Sequence, residues 1–419
     1  MNKEIKNIEL PTLRFPEFNN TKGWELTTLV KLAKFRRGSF PQPYGLPKWY
    51  DEINGIPFIQ VYDVGEDFRL KTKTKSKISK LGAEQSVFIP KGTVIITIQG
   101  SIGRVAITQY DAYIDRTLLL FEDFYKPINK TFFAYVLFLL FEIEKLKAPG
   151  GIIKTITKEV LSDFNIYVPS IDEQQKIADC LSSLDDLITA ETQKLDALKD
   201  HKKGLMQQLF PGEGEMEPKL RFEEFKNDLK LVGFAELGEI KIGLTHTPKY
   251  IESGIPFLSS KNISKGYIDF ENVQYISEEE FSEMTASARP KIGDILFTRV
   301  GSNLGNPIVL QENIEFGIFV SLGIFRVNKK ASNFYIKYWM ETDWFWVQLE
   351  RKVAGGAKNN LNTNWLKEFE LYIPSLPEQN KIAECLSSMD KLITAQTKNV
   401  EKLKKHKHGL MQGLFPKIE

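Results

Sequence analysis

Two glycine-bounded segments, GSIGR at 100–104 and GSNLG at 301–305, combine backbone freedom with side chains that bind phosphate or nucleobases. Glycines let backbone N–H groups close on an oxyanion, so either segment could cradle a phosphate. The same composition also serves a hairpin turn. Gln99, Ser101 and Arg104 around the first, with Arg299, Ser302 and Asn303 around the second, favour turns that also present side chains to DNA. The chemistry would be groove readout, in which Arg and Lys grip guanine while Asn and Gln grip adenine.

Other groups point the same way. The loops GGIIKTIT (150–157) and GGAKNNLN (355–362) offer Lys154, Thr155, Lys358, Asn359, Asn360 and Asn362 where apolar content is low. DNA contact and a solvated helix-capping loop both account for them. Arg36, Arg37, Tyr44, Lys48 and Trp49 form one basic and aromatic group, and Lys249, Tyr250, Lys261 and Asn262 form another, although core burial explains the aromatics nearly as well. Between Arg69 and Lys80 lie Lys71, Lys73, Lys75 and Lys77 with no acid, and this alternation predicts most of them on one face of an extended strand. A solvated loop is the plain alternative.

The chemistry that is missing matters as much. No stretch has the G-x-x-x-x-G-K-[ST] form of a P-loop, and none joins an S-adenosylmethionine loop to an N-P-P-Y or D-P-P-Y motif. Catalysis must then come from a partner, and no cofactor is expected. Cys180 and Cys385 are the only cysteines, which excludes a disulfide framework, and their place near an apolar seam suits helix packing. His201, His246, His406 and His408 have no ligand spacing, so no metal is expected. Lys and Arg total 56 against 54 Asp and Glu, a formal charge of +2 that gives no global signature of nucleic-acid binding. With 42% apolar residues the chain reads as globular, and its 419 residues suit two or three domains. The longest strongly apolar run, 132–141, is about half of a membrane-spanning helix, and residues 1–10 lack a signal-peptide pattern, so a cytoplasmic protein is expected.

These groups lie between elements laid out twice. Residues 168–211 and 373–416 align without a gap at an offset of 205, with 28 identities in 44 positions. A shorter echo precedes each variable region: LPTLRFPEF at 10–18 and EPKLRFEEF at 217–225. Residues 172–210 and 377–415 have no interior proline and repeat apolar residues at spacings of four and three: Ile177, Leu181, Leu184, Ile188, Leu195, Leu198, Leu205 and Leu209, then Ile382, Leu386, Met389, Ile393, Val400, Leu403, Leu410 and Leu414. That is a heptad seam on a helix of about 58 Å, and the simplest partner for one copy is the other. Glu191 and Lys202 interrupt one seam and would help to fix register. The regions between mix short strands such as 93–98 and 294–297 with closing helices over 131–147 and 333–353, capped by Gly150-Gly151 and Gly355-Gly356. The fold class is α+β.

The repeat resembles the type I restriction-modification specificity subunit. The residues that carry the likeness are Val168-Pro169-Ser170, Glu173-Gln174, Ile177-Ala178 and Leu181, then Ile373-Pro374-Ser375, Glu378-Gln379, Ile382-Ala383 and Leu386. The resemblance implies two homologous target-recognition domains of mixed α/β structure (20–165 and 218–370), behind an N-terminal segment (1–19) and separated by two helical spacers (166–217 and 371–419) that form an antiparallel coiled coil. It also implies double-stranded DNA as ligand, read in two parts, with two adenine-N6 methyltransferase subunits and motor-nuclease subunits as partners. It assigns no base contacts, because the recognition domains of that family differ greatly among themselves. Two other readings stand beside it: a coiled-coil adaptor with no DNA specificity, and a self-sufficient enzyme acting on DNA, against which the missing motifs argue.

Overall fold

Two helices of 39 residues, Ile171–Leu209 and Leu376–Leu414, dominate the computed structural model. It describes residues 8–147, 158–264, 266–285, 289–301, 304–352 and 360–417. Each long helix starts one residue before the expected position, for a reason that the Glu-Gln pair in the repeat supplies. Glu173 and Glu378 stand in the first turns, where the helix dipole favours a carboxylate. Each is about 1% exposed and takes both forks of an arginine from the preceding echo: Arg14 Nε and Nη2 donate to Glu173 at 2.8 and 2.7 Å, and Arg221 does the same to Glu378 at 2.7 and 2.9 Å. The adjacent glutamines fasten the helix to the domain behind it. Gln174 accepts from Asn129 N and donates to Pro169 O, as Gln379 accepts from Ser332 N and donates to Pro374 O.

The chain divides into two compact units, one of residues Met1–Gln193 with Lys398–Glu419 and the other of Lys194–Thr397. Each unit holds the N-terminal part of one long helix and the C-terminal part of the other. In the first, Asp185 pairs with Lys407 at 2.5 Å and accepts the Tyr135 hydroxyl at 2.6 Å. In the second, Asp390 pairs with Lys202 at 2.7 Å and accepts the Tyr338 hydroxyl at 2.7 Å. Lys202 is thus the cation of an ion pair between helices. The seam has a second use at its ends, where Ile177, Leu181, Leu414 and Phe415 enter the core of the first unit and Leu209, Phe210, Ile382 and Leu386 enter that of the second.

Each unit then builds two comparable sheets, of which the one around a parallel strand pair has four strands in the first unit and three in the second. In the first, Ala33–Arg37, Leu118–Phe124, Val94–Thr97 and Val105–Ile107 form an antiparallel sheet in that order, matched in the second by Gly238–Ile242, Leu322–Val327, Ile295–Thr298 and Gly305–Val309. A smaller sheet pairs Ile56–Ile59 with Ala112–Ile114 in parallel, as Ile255–Leu258 pairs with Gly317–Ile318. Gly103 and Gly305, both at positive φ, close the turn after the third of these expected strands, and a Cβ there would strike Phe141 at 2.9 Å or Trp346 at 2.7 Å. The echo segments return as well: Leu13 N donates to Gly413 O at 2.8 Å, and Leu220 N donates to Gln208 O at 2.9 Å.

Helix Lys130–Lys147 of the first unit matches expectation, but the single helix expected over 333–353 is two, Asn333–Trp339 and Asp343–Lys352. Thr342 makes the break, because its hydroxyl donates to Trp339 O and accepts from Phe345 N, ending one helix and capping the next. The diglycines expected to cap these segments lie outside the described residues. No described helix is long and apolar enough to cross a membrane.

Candidate nucleic-acid interface

At one end of each pair of sheets the strand-leaving loops converge. In the first unit, Ser39 N donates to Ile114 O, Asp115 N to Ile59 O, and Ile98 N to Thr117 O. These bonds draw together the loops that follow Arg37, Ile59, Thr97 and Ile114 into one rim. In the second unit, Leu244 N donates to Ile318 O, Phe319 N to Leu258 O, and Arg299 N to Ser321 O. These three bonds recur at matching positions in the two rims, and the second adds two of its own, Val320 N to Leu244 O and Val300 N to Ser321 O. Gly38 and Gly243 allow the closest of these approaches, since a Cβ on either would lie within 2.4 Å of a carbonyl oxygen of the neighbouring loop.

Several expected residues meet on the first rim. Arg37 is exposed at the end of its strand, and Tyr44 is exposed with its ring 4.6 Å from Phe40. Lys48 lies over the buried Trp49 at 4.3 Å, and Lys75 lies over the exposed Tyr62 at 4.5 Å. Ser101 is exposed and Gln99 half-buried in the glycine turn. Arg36 sits on the same strand as Arg37 but points its guanidinium at Glu122, 3.8 Å away. Arg104 binds Glu66 at 2.9 Å. On the second rim, Lys249, Tyr250 and Lys261 are exposed, and Asn360 bridges to Val300 beside the second glycine turn. Two motifs that begin 54 residues apart in the sequence are thereby neighbours, with Leu361 N donating to Arg299 O at 2.7 Å.

Three expected contacts are committed elsewhere. Arg299 is 8% exposed, taking the place of the buried Ile98 in the first unit, and donates to the carbonyls of Leu361 and Val320. Burial pushes its guanidinium below the ordinary value. Asn262 is 5% exposed and holds its own turn through Ser259 N and Asn272 O. Asn362 caps helix Thr363–Lys367 by accepting from Asn364 N. Lys154, Thr155, Ser302, Asn303, Lys358 and Asn359 lie outside the described residues.

The basic run does not lie along a strand. Only Ser76–Ile78 is extended, and the chain before it wraps Asp63, which is 1% exposed. That carboxylate accepts from Gln60 N and Lys75 N at 2.8 Å each, and Asp63 O accepts from Lys71 N. Lys71, Lys73 and Lys75 are exposed on this loop, whereas Arg69 pairs with Asp186. Burial, with Asp63 nearby, pushes the Tyr110 hydroxyl up to about 12 where it donates to Lys71 O. Arg116 escaped the sequence reading altogether. It is exposed on the first rim with its guanidinium 4.6 Å over Phe40, and as an isolated arginine in a short loop it had no motif to announce it.

The arrangement suits a polymeric anion with readable edges, because each rim presents exposed cations together with rings and polar side chains. A cavity of about 610 Å³ in the second unit, lined by Lys203, Phe210, Glu341 and Trp344, involves none of the expected residues. The model of the type I restriction modification DNA specificity domain matches residues 21–200 and again 230–405. The type I restriction enzyme MjaVIII specificity subunit of Methanocaldococcus jannaschii is 23% identical over 99% of this chain and 96% of its own length, and the MjaIX specificity subunit of the same organism is 23% identical over 95% and 93%. The fold is similar to that of the type I restriction-modification S subunit from M. genitalium, with a TM-score of 0.61 at 16% identity over 98% of this chain and 100% of that one.

Proposed function

The chain belongs to the type I restriction-modification DNA specificity family, and on that premise we propose that its two rims read the two parts of a split DNA site while its helices hold methyltransferase subunits in place. The observation that carries this reading is the duplicated rim, in which one backbone frame is used twice with different side chains. A common frame with altered side chains is what two readers of different sequences require. The recognition domains are residues 20–165 and 218–370, and the two spacers complete the subunit.

On the first rim the contacts are Arg36, Arg37, Tyr44, Lys48, Lys71, Lys73, Lys75, Gln99, Ser101 and Arg104. On the second they are Lys249, Tyr250, Lys261 and Asn360. The chain works in the cytoplasm with two adenine-N6 methyltransferase subunits, which supply the catalysis, and with motor-nuclease subunits when DNA is cut. The near-balanced charge is compatible with this sharing, in which local cations on several subunits together meet the phosphates.

Sequencing of methylated adenines in cells that carry the gene, against cells that lack it, tests the reading. The expected result is one motif of two defined parts with an unread gap of constant length. A continuous motif, or none, would overturn it. An adaptor without DNA specificity would in addition leave the purified complex with no salt-dependent affinity for duplex DNA.

A further inference from the structure

Because the rims share three backbone bonds at matching positions, residues next to those bonds can be compared one by one. The bonds Ser39 N to Ile114 O and Asp115 N to Ile59 O correspond to Leu244 N to Ile318 O and Phe319 N to Leu258 O. Arg37, Phe40 and Arg116 of the first rim therefore stand where Ile242, Thr245 and Val320 stand on the second. The first rim has a guanidinium on an aromatic ring at a place where the second has a small apolar side chain.

Arg116 is held on both sides. The buried Asp115 accepts from Thr117 N at 2.8 Å, and Thr117 O accepts from Ile98 N. Its guanidinium lies 4.6 Å over Phe40, whose ring in turn packs on Tyr44 at 4.6 Å. Arg36, Arg69 and Arg104 of this unit pair with acids, Arg36 with Glu122, Arg69 with Asp186 and Arg104 with Glu66. Arg116 pairs with no carboxylate among the described residues. Stacking on a ring fixes the plane of a guanidinium while its N–H edge stays available for two parallel hydrogen bonds. Gly38, the residue after Arg37, lies against the Asp115 carbonyl, which brings the end of the Arg37 strand beside the loop that carries Arg116.

Resting on the reading of this chain as a DNA specificity subunit, we propose that Arg116, stacked on Phe40, reads a guanine in the half-site taken by the first rim. The fork would donate to guanine O6 and N7 in the major groove. A phosphate offers the same pair of acceptors, but a planar group set in advance by a ring and a rigid turn is suited to an acceptor of one fixed position. The second rim, with Val320 at the matching place, makes no such contact.

The test uses the complete complex with Arg116→Ala and Arg116→Lys. The half-site of the first rim is identified as the one altered when residues 20–165 are exchanged. In wild type, replacing one guanine of that half-site by 7-deazaguanine, which lacks N7, should weaken binding about tenfold or more. With Arg116→Ala the same replacement should have no further effect, and the methylated motif should lose its demand for guanine at that position alone. Arg116→Lys should restore it only in part. A motif that keeps its guanine while binding weakens equally on all sequences would assign Arg116 to a phosphate and overturn the proposal, as would a first half-site without guanine or a change in the other half-site. Failure of the functional reading is distinct, because the wild-type complex would then give no two-part motif at all. Unchanged thermal unfolding of both variants, expected for an exposed side chain, separates these results from misfolding.

Discussion

Asp185 of the first long helix pairs with Lys407 of the second, and the same relationship recurs with the helices exchanged, as Asp390 with Lys202. Each carboxylate also accepts a tyrosine hydroxyl from the helix that closes its own recognition domain, Tyr135 or Tyr338. One acidic side chain thus joins three elements in each unit. In the second unit Lys337 and Glu341 extend the cluster.

A pH dependence follows for this second cluster. Burial pushes the Asp390 carboxyl up, but Lys337 and Lys202 together outweigh it and hold the group below its ordinary value of 3.8. Burial lowers Lys202, and Glu341 with Asp390 outweighs that, leaving the ammonium above its ordinary 10.5. A depressed acid stabilises the fold above its unfolded value and loses that contribution as pH falls through the folded one; a raised base does the reverse on the alkaline side. The thermal midpoint of wild type should therefore exceed that of Asp390→Asn by a constant margin at neutral pH, and the margin should close as pH drops below 3.8. Parallel curves down to the acid limit would contradict the assignment.

Removal of either arginine from the echo segments should be costly. Glu173 is about 1% exposed, and Arg14→Ala would leave its charge buried with only the Trp24 indole N–H at 3.1 Å. Breaking a buried pair from one side costs about 3–5 kcal/mol. Chemical denaturation should show a loss of that order for Arg14→Ala and a smaller loss for the double variant with Glu173→Gln, which removes the stranded charge.

Exchange of residues 20–165 for the corresponding domain of a relative should change one part of the methylated motif and leave the other intact. Each rim is built from hydrogen bonds within its own unit. Simultaneous change of both parts would show that the rims do not read independently.

Insertion of four residues beside Glu191 should lengthen the unread gap. The first long helix passes from one unit to the other between Gln193 and Lys194. Four residues add about 6 Å of helix, against roughly 3.4 Å of DNA rise per base pair, so the gap should grow by one or at most two pairs. The half-sites themselves should not change. Full modification at the original gap would show that helix length does not set it.

The long helices were legible because a heptad repeat, a proline boundary and a duplicated copy all agree, and both are in place within one residue. Strands Val94–Thr97 and Ile295–Thr298 were legible from apolar runs between glycines. What a sequence cannot display is competition for a side chain. Arg299 resembles a free arginine beside a turn, yet two backbone carbonyls claim it. The lysines around residue 75 alternate like a strand, yet a buried aspartate twelve positions before Lys75 bends the chain around itself. Arg116 has the opposite history, since only the fold sets Phe40 beneath it.

The two hydrogen bonds at the helix ends, Leu13 to Gly413 and Leu220 to Gln208, make the polypeptide equivalent to a ring that is opened at one of two like junctions. Eleven residues lie between Gln208 and Leu220, whereas residues 414–417 and 10–12 already flank the other junction, so about four added residues would make the two equal. The opening could then be moved. A permuted chain that begins near Glu217, runs through the added link and finishes near Pro211 would retain both junction contacts while presenting its two readers in the reverse order along the gene. In such a chain the order of synthesis would be uncoupled from the order of the two readers on DNA.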